Sequence, residues 1–185
     1  MPTFTSLRER RLWFGVVFIV ATIYATLGLA GQFAALIPAN GVIENTFFGV
    51  FLVIVFVLFG NGMRKRTSKG EFWVTLGIVA AYAMAMLRLF VNPNERTHLV
   101  EYSIVAVLIY EALAERKRNG GNVWNPAIFT MLATALIGLV DELIQAVLPN
   151  RVFDPIDIGF NAFAGVMAVV SILVLSAVRN RFSRV

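Results

Sequence analysis

The chain alternates long apolar runs with short charged loops, and this alternation narrows the available folds more than any motif does. Of its 185 residues, 58% belong to the hydrophobic set and only 15% are charged. Mean hydropathy is +0.76. A soluble domain of that length carries more charge. The apolar residues come in blocks without period-two alternation, so they read as helices in lipid and not as strands of a transmembrane barrel. The expected fold is an all-α, polytopic membrane protein. It forms a single domain over residues 1–185, a bundle of six transmembrane helices.

The expected spans cover residues 12–31, a second ending near 59, then 72–91, 98–114, 126–148 and 155–178. The second has the shortest strongly apolar part, 47–59, and needs Val42 and Ile43 to complete a crossing. Charge tests the count independently. Six spans place the basic clusters around Arg10, Lys65, Lys117 and Arg181 on one side. The other side's loops keep only Arg96 and Arg151, with Arg88 near a span end. The positive-inside rule then puts both termini in the cytoplasm, and Trp13, Trp73 and Trp124 at cytoplasmic interfaces. Removing the second span would invert every later loop and destroy the agreement. The net charge of +5 thus has a topological explanation, and no nucleic-acid partner is expected. The basic, then apolar N-terminus resembles a signal peptide, but its long run lacks a clean small-residue cleavage site before Gln32. A retained first helix is expected.

This topology gathers ionisable and amide residues at the non-cytoplasmic end. Arg88 closes the third span, and His98, Glu101 and Tyr102 open the fourth on one face. Asp141, Glu142 and Gln145 lie in the outward half of the fifth, Arg151 in the turn beyond, and Asp157 and Asn161 at the start of the sixth. Asp141 and Gln145 share a helix face, with Glu142 about 100° round. A charge in hydrocarbon is costly, so Asp141 and Glu142 should face the bundle interior or a hydrated cleft. Gly165, on the Asn161 face, permits close approach of a neighbouring helix.

Structural roles compete with functional ones. Asp154-Pro155 reads as an N-cap followed by proline at the first helical position, with Asp157 near the free N–H groups. Asp141 and Glu142 can glue helices together, and His98 at the boundary can be solvated or capping. Tyr102 can anchor at the interface, and Arg88 can snorkel. Glu111 and Glu115 read as boundary residues, and Gly15, Gly28 and Gly138 as packing residues. No cysteine is present, which excludes disulfides and thiolate chemistry. There is no HExxH, histidine cluster, phosphate loop or GxSxG either, so neither metal nor cofactor is expected.

His98 and Tyr102, then Asp141-Glu142-Leu143-Ile144-Gln145, then Arg151, Asp154, Asp157, Asn161 and Gly165 together resemble the VanZ-like family of bacterial membrane proteins. The resemblance covers residues 72–177, and residues 12–60 would be two additional N-terminal spans. It implies a multi-pass protein of the bacterial cytoplasmic (inner) membrane. The founding member of the family lowers susceptibility to the glycopeptide antibiotic teicoplanin, and most members would not be resistance proteins.

The leading functional expectation is a small membrane protein that binds an amphiphilic or envelope-derived ligand in a polar cleft near the outer face, among membrane lipids. Arg151 and Arg88 would meet an anionic group, and Asp141, Glu142, Gln145 and Asn161 would complete the hydrogen bonds. The alternatives are a structural or assembly subunit of a larger membrane protein complex, an enzyme using Asp141, Glu142 or His98 as acid or base, and transport or proton relay.

Overall fold

The computed structural model describes residues 4–36, 68–88, 93–149 and 151–182. Among them lie five helices and no strand. These are α1 (Leu7–Leu36), α2 (Lys69–Arg88), α3 (Pro93–Arg118), α4 (Pro126–Val147) and α5 (Pro155–Phe182). Each coincides with an expected span; α1, α2 and α3 begin three to five residues earlier, α3 and α5 run on through charged residues at their ends, and α4 stops one residue short. The second expected span lies outside the described residues.

The helix starts are written in the sequence. Ser6 accepts from the Glu9 N–H at 3.0 Å, and Ser68 from the Glu71 N–H at 3.2 Å, so α1 and α2 both open on Ser-x-x-Glu. Asn125 accepts from Ala127 and Ile128 ahead of Pro126. Asp154 accepts from Ile156 at 2.8 Å ahead of Pro155, which bears out the capping expectation. Interior hydroxyls satisfy themselves, as when Thr130 donates to the Pro126 carbonyl and Thr134 to that of Thr130.

Four helices contain stretches long and apolar enough to cross a membrane: Leu7–Leu27, Lys69–Leu87, Pro126–Val147 and Pro155–Arg181. The exception is α3, loaded with His98, Glu101 and a charged last turn of Arg116, Lys117 and Arg118. It is also the helix that the others surround, packing against α1, α4 and α5. Its Val105 and Ile109 meet Val16 and Ile23 of α1, while Leu99 and Tyr102 meet Ala85 and Met86 of α2 and Ala164 of α5.

Ion pairs fix the helix directions. Arg8 reaches Glu111 at 2.7 Å and Glu115 at 3.2 Å, joining the start of α1 to the end of α3. Arg179 near the end of α5 holds Glu71 at the start of α2. Lys117 donates to the Trp124 carbonyl, bringing in the start of α4. Among the described residues, one end of the bundle therefore carries the basic clusters around Arg8, Lys117 and Arg179 and all three tryptophans, in line with the charge pattern. Glu111 and Glu115 do more than mark the boundary here. Burial pushes the Glu115 carboxyl up, yet hydrogen bonds from Asn119 and Ser6 and the charges of Arg118 and Arg8 outweigh it, holding the group below its ordinary value.

Candidate functional site

The site begins with an inverted helix. Every buried residue of α4 is polar or glycine: Thr130, Thr134, Gly138, Asp141, Glu142 and Gln145. Most of its large apolar residues, among them Leu132, Leu136, Val140, Leu143 and Val147, are exposed, while Ile137 packs half-buried against the core. In water such a helix would be inside out; in lipid it presents its apolar face to the tails and its polar stripe to the protein.

Two glycines let α4 and α5 close on that stripe. A Cβ on Gly165 would stand 2.9 Å from Thr134 Cγ2, and one on Gly138 would stand 2.6 Å from Asn161 Cβ. Only residues without a Cβ allow this approach, so the expectation for Gly165 holds and Gly138 matters equally. The second contact sets the Asn161 amide beside the helix turn that carries Asp141.

At the end remote from the ion-pair cluster, Asp141, Glu142 and Asn161 are fully buried, as is Tyr102, while His98 is 7% exposed. His98 Nδ1 lies 3.6 Å from Asp141 Oδ2, beyond a true hydrogen bond, and its ring stacks on Tyr102 with centroids 5.8 Å apart. Tyr102, weighed as an interfacial anchor, is instead the largest fully buried side chain among the described residues. Glu101 is half-buried on the same helix, and Asp157 half-buried in the first turn of α5. α2 ends at Arg88, whose side chain lies outside the described part of the structure.

The acidic pair divides into two jobs. Glu142 accepts from Gln145 Nε2 at 2.8 Å and from the Asp154 N–H at 3.1 Å, which clamps the α4–α5 turn onto α4. Gln145 shares a face with Asp141 as expected, but its side-chain amide donates its well-formed hydrogen bond three residues back, to Glu142. Asp141 has no such clamp. Both its carboxylate oxygens, the Tyr102 hydroxyl, both amide atoms of Asn161 and the Nε of Arg151 are buried without a hydrogen-bond partner. The Tyr102 hydroxyl and the Gln145 amide nevertheless approach Asp141 closely enough for loose hydrogen bonds that miss good geometry, and Arg151 lies within electrostatic reach of it. Arg151 forms no ion pair within 4.0 Å with either acid of α4 among the described residues.

No protein-family model, curated protein or solved structure matches the chain. The site therefore rests on its own chemistry.

Two residues escaped the sequence reading. Tyr24 of α1 donates to the Ile137 carbonyl at 2.8 Å, pinning α1 to the helix that carries Asp141. Glu9 is fully buried at the opposite end, ion-paired to Arg116 at 3.0 Å and accepting from the N–H and hydroxyl of Thr5. The Ser6-x-x-Glu9 spacing was the available signal for Glu9. Nothing in the sequence singled out Tyr24 from the other aromatic residues of its helix. Among the described residues no group of three His, Cys, Asp or Glu side chains could hold a metal ion.

Proposed function

We propose that the chain is a six-span protein of the bacterial cytoplasmic membrane that binds the head group of an amphiphilic, envelope-derived ligand at its outer side. Both termini lie in the cytoplasm. The observation that carries the binding reading is the set of buried, unmet hydrogen-bonding groups on Asp141, Tyr102, Asn161 and Arg151. Buried polar groups are ordinarily satisfied, and each unmet one carries a cost of about 1–3 kcal/mol that a matching ligand removes. Arg151 receives an anionic group of the ligand, and Asp141, Tyr102 and Asn161 take its remaining polar atoms. The residue order from His98 to Gly165 supports kinship with VanZ-like proteins, which this reading adopts.

The topology is supported by helix direction. α1 and α2 both start at the basic end, which supports a count in which one further span separates them. With the basic end inside, Val152→Cys is expected to react with an impermeant thiol reagent in intact cells, whereas Asn119→Cys reacts only after permeabilisation. The reverse pattern would overturn the topology.

Binding is tested by native mass spectrometry of the detergent-extracted protein. Arg151→Gln is expected to lose, by about tenfold or more, a phosphate-bearing amphiphile that Arg181→Gln retains, as befits loss of one charge-assisted contact. Equal retention by the two variants would remove the proposed site. A stoichiometric protein partner in place of a lipid would favour an assembly role.

A further inference from the structure

The unmet groups of the site differ in kind, and the difference specifies what they can hold. Asp141 offers two carboxylate oxygens and no donor. Asn161 offers Oδ1 as acceptor and Nδ2 as donor, and the Tyr102 hydroxyl can act either way. Arg151 offers only N–H. Acceptors therefore concentrate on the α4 side, around Asp141, and the fixed positive charge lies in the turn between α4 and α5. Asn161 is held there by the Gly138 contact, and Tyr102 by the stacked His98 ring.

Charge points the same way. Glu101 and Glu142 stand within electrostatic reach of Asp141, and Asp154 and Asp157 within reach of Glu142, against one arginine and the His98 ring among the described residues. Glu142 is already engaged with Gln145 and the Asp154 N–H, and Asp154 with Ile156. Asp141 is held more loosely: the Tyr102 hydroxyl and Gln145 amide lie near it without a well-formed hydrogen bond, and His98 Nδ1 stands 3.6 Å away, within reach of an ion pair only when protonated. A purely anionic head group would satisfy Arg151 and leave Asp141 facing like charge. A neutral polyol would supply donors without balancing the carboxylate. A quaternary ammonium would balance the charge but supply no N–H.

Resting on the binding reading above, we propose that the head group is zwitterionic with a primary ammonium: the ammonium donates to Asp141, Asn161 Oδ1 and Tyr102 Oη, and the adjoining phosphate accepts from Arg151. An ammonium has three N–H donors and no acceptor, which suits acceptors carried by α3, α4 and α5 at this end of the bundle. The chemistry is that of a phosphoethanolamine group, borne by a membrane lipid or by a free solute.

The test uses the full chain in detergent, titrated separately with phosphatidylethanolamine, phosphatidylcholine, phosphatidylglycerol and soluble phosphoethanolamine. Binding is read by native mass spectrometry and by melting temperature. Phosphatidylethanolamine is expected to bind at least about tenfold more tightly than the trimethylated lipid or the glycerol lipid, since a site built around N–H donors rejects analogues lacking them. Asp141→Asn is expected to erase that preference, and Arg151→Gln to weaken all three lipids together. The comparison among lipids in the unsubstituted protein decides the point even if a variant misfolds. Saturation by soluble phosphoethanolamine at equal affinity would uphold the head-group chemistry and make a free solute its source. Phosphatidylglycerol or phosphatidylcholine binding as tightly, in an Arg151-dependent manner, would overturn the ammonium while leaving the amphiphile reading intact. Binding of none of them, or binding indifferent to Arg151, would overturn both.

Discussion

Gly138→Ala is expected to destabilise the bundle by about 1–3 kcal/mol, the usual range for an overpacked core, although alanine is the better helix former. The added methyl would sit 2.6 Å from Asn161 Cβ, an atom fixed to the α5 backbone that cannot swing aside. Either the helices separate, which also loosens the Thr134–Gly165 contact, or Asn161 is displaced from its place beside Asp141. Gly138→Leu should be worse still. Gly77 supplies the control: a Cβ there meets nothing within 4 Å, so Gly77→Ala should be neutral or should stabilise α2. Thermal denaturation in one detergent compares the three. Asn161→Gly in the Gly138→Ala background should recover part of the loss, because it removes the colliding atom. Gly138→Ala and Gly77→Ala melting together would show that the α4–α5 seam is looser than described.

A second large effect is expected at Tyr102, where size and hydroxyl separate cleanly. Tyr102→Ala empties a fully buried position between α2, α3 and α5. Lipid is as apolar as the interior, so the loss comes from forfeited packing and not from transfer out of water. A cavity of about 100 Å3 at about 24 cal/mol per Å3 costs about 2.4 kcal/mol. Tyr102→Phe keeps the ring, the His98 stack and the volume, and removes a hydroxyl that lies near Asp141 without a well-formed hydrogen bond. It should leave the melting temperature unchanged or slightly raised while weakening ligand retention. A phenylalanine variant as unstable as the alanine one would mean that the hydroxyl is bound within the fold, and Tyr102 would leave the site.

The helices were legible because lipid imposes a coarse code: blocks of apolar residues, and caps at Ser6, Ser68, Asn125 and Asp154. The burial of Asp141 was legible too, since a carboxylate within an apolar run must turn inward. Which neighbour it meets was not. Helix spacing placed Gln145 on the Asp141 face, yet Gln145 bonds Glu142, because the α4–α5 turn brings the Asp154 N–H to that second carboxylate and fixes its orientation. Tyr102 stands near a helix start, where an aromatic reads as an interfacial anchor. Its full burial follows from the position of α3 among α1, α4 and α5, a tertiary fact that no window of residues contains.

The same central position bears on how the protein is made. Each ionised residue near the middle of an inserting helix costs about 2.5–3.5 kcal/mol at the translocon, and α3 is the one described helix not apolar enough to cross unaided. Its retention in the bilayer depends on Val16 and Ile23 of α1, synthesised earlier, and on α4 and α5, synthesised later. Biogenesis thus passes through a stage at which α3 has half its neighbours. A ribosome stalled before α5 would expose a poorly held segment to membrane quality control, and truncations from the C-terminal side should be degraded sooner than the outward apolar face of the lost helix would suggest.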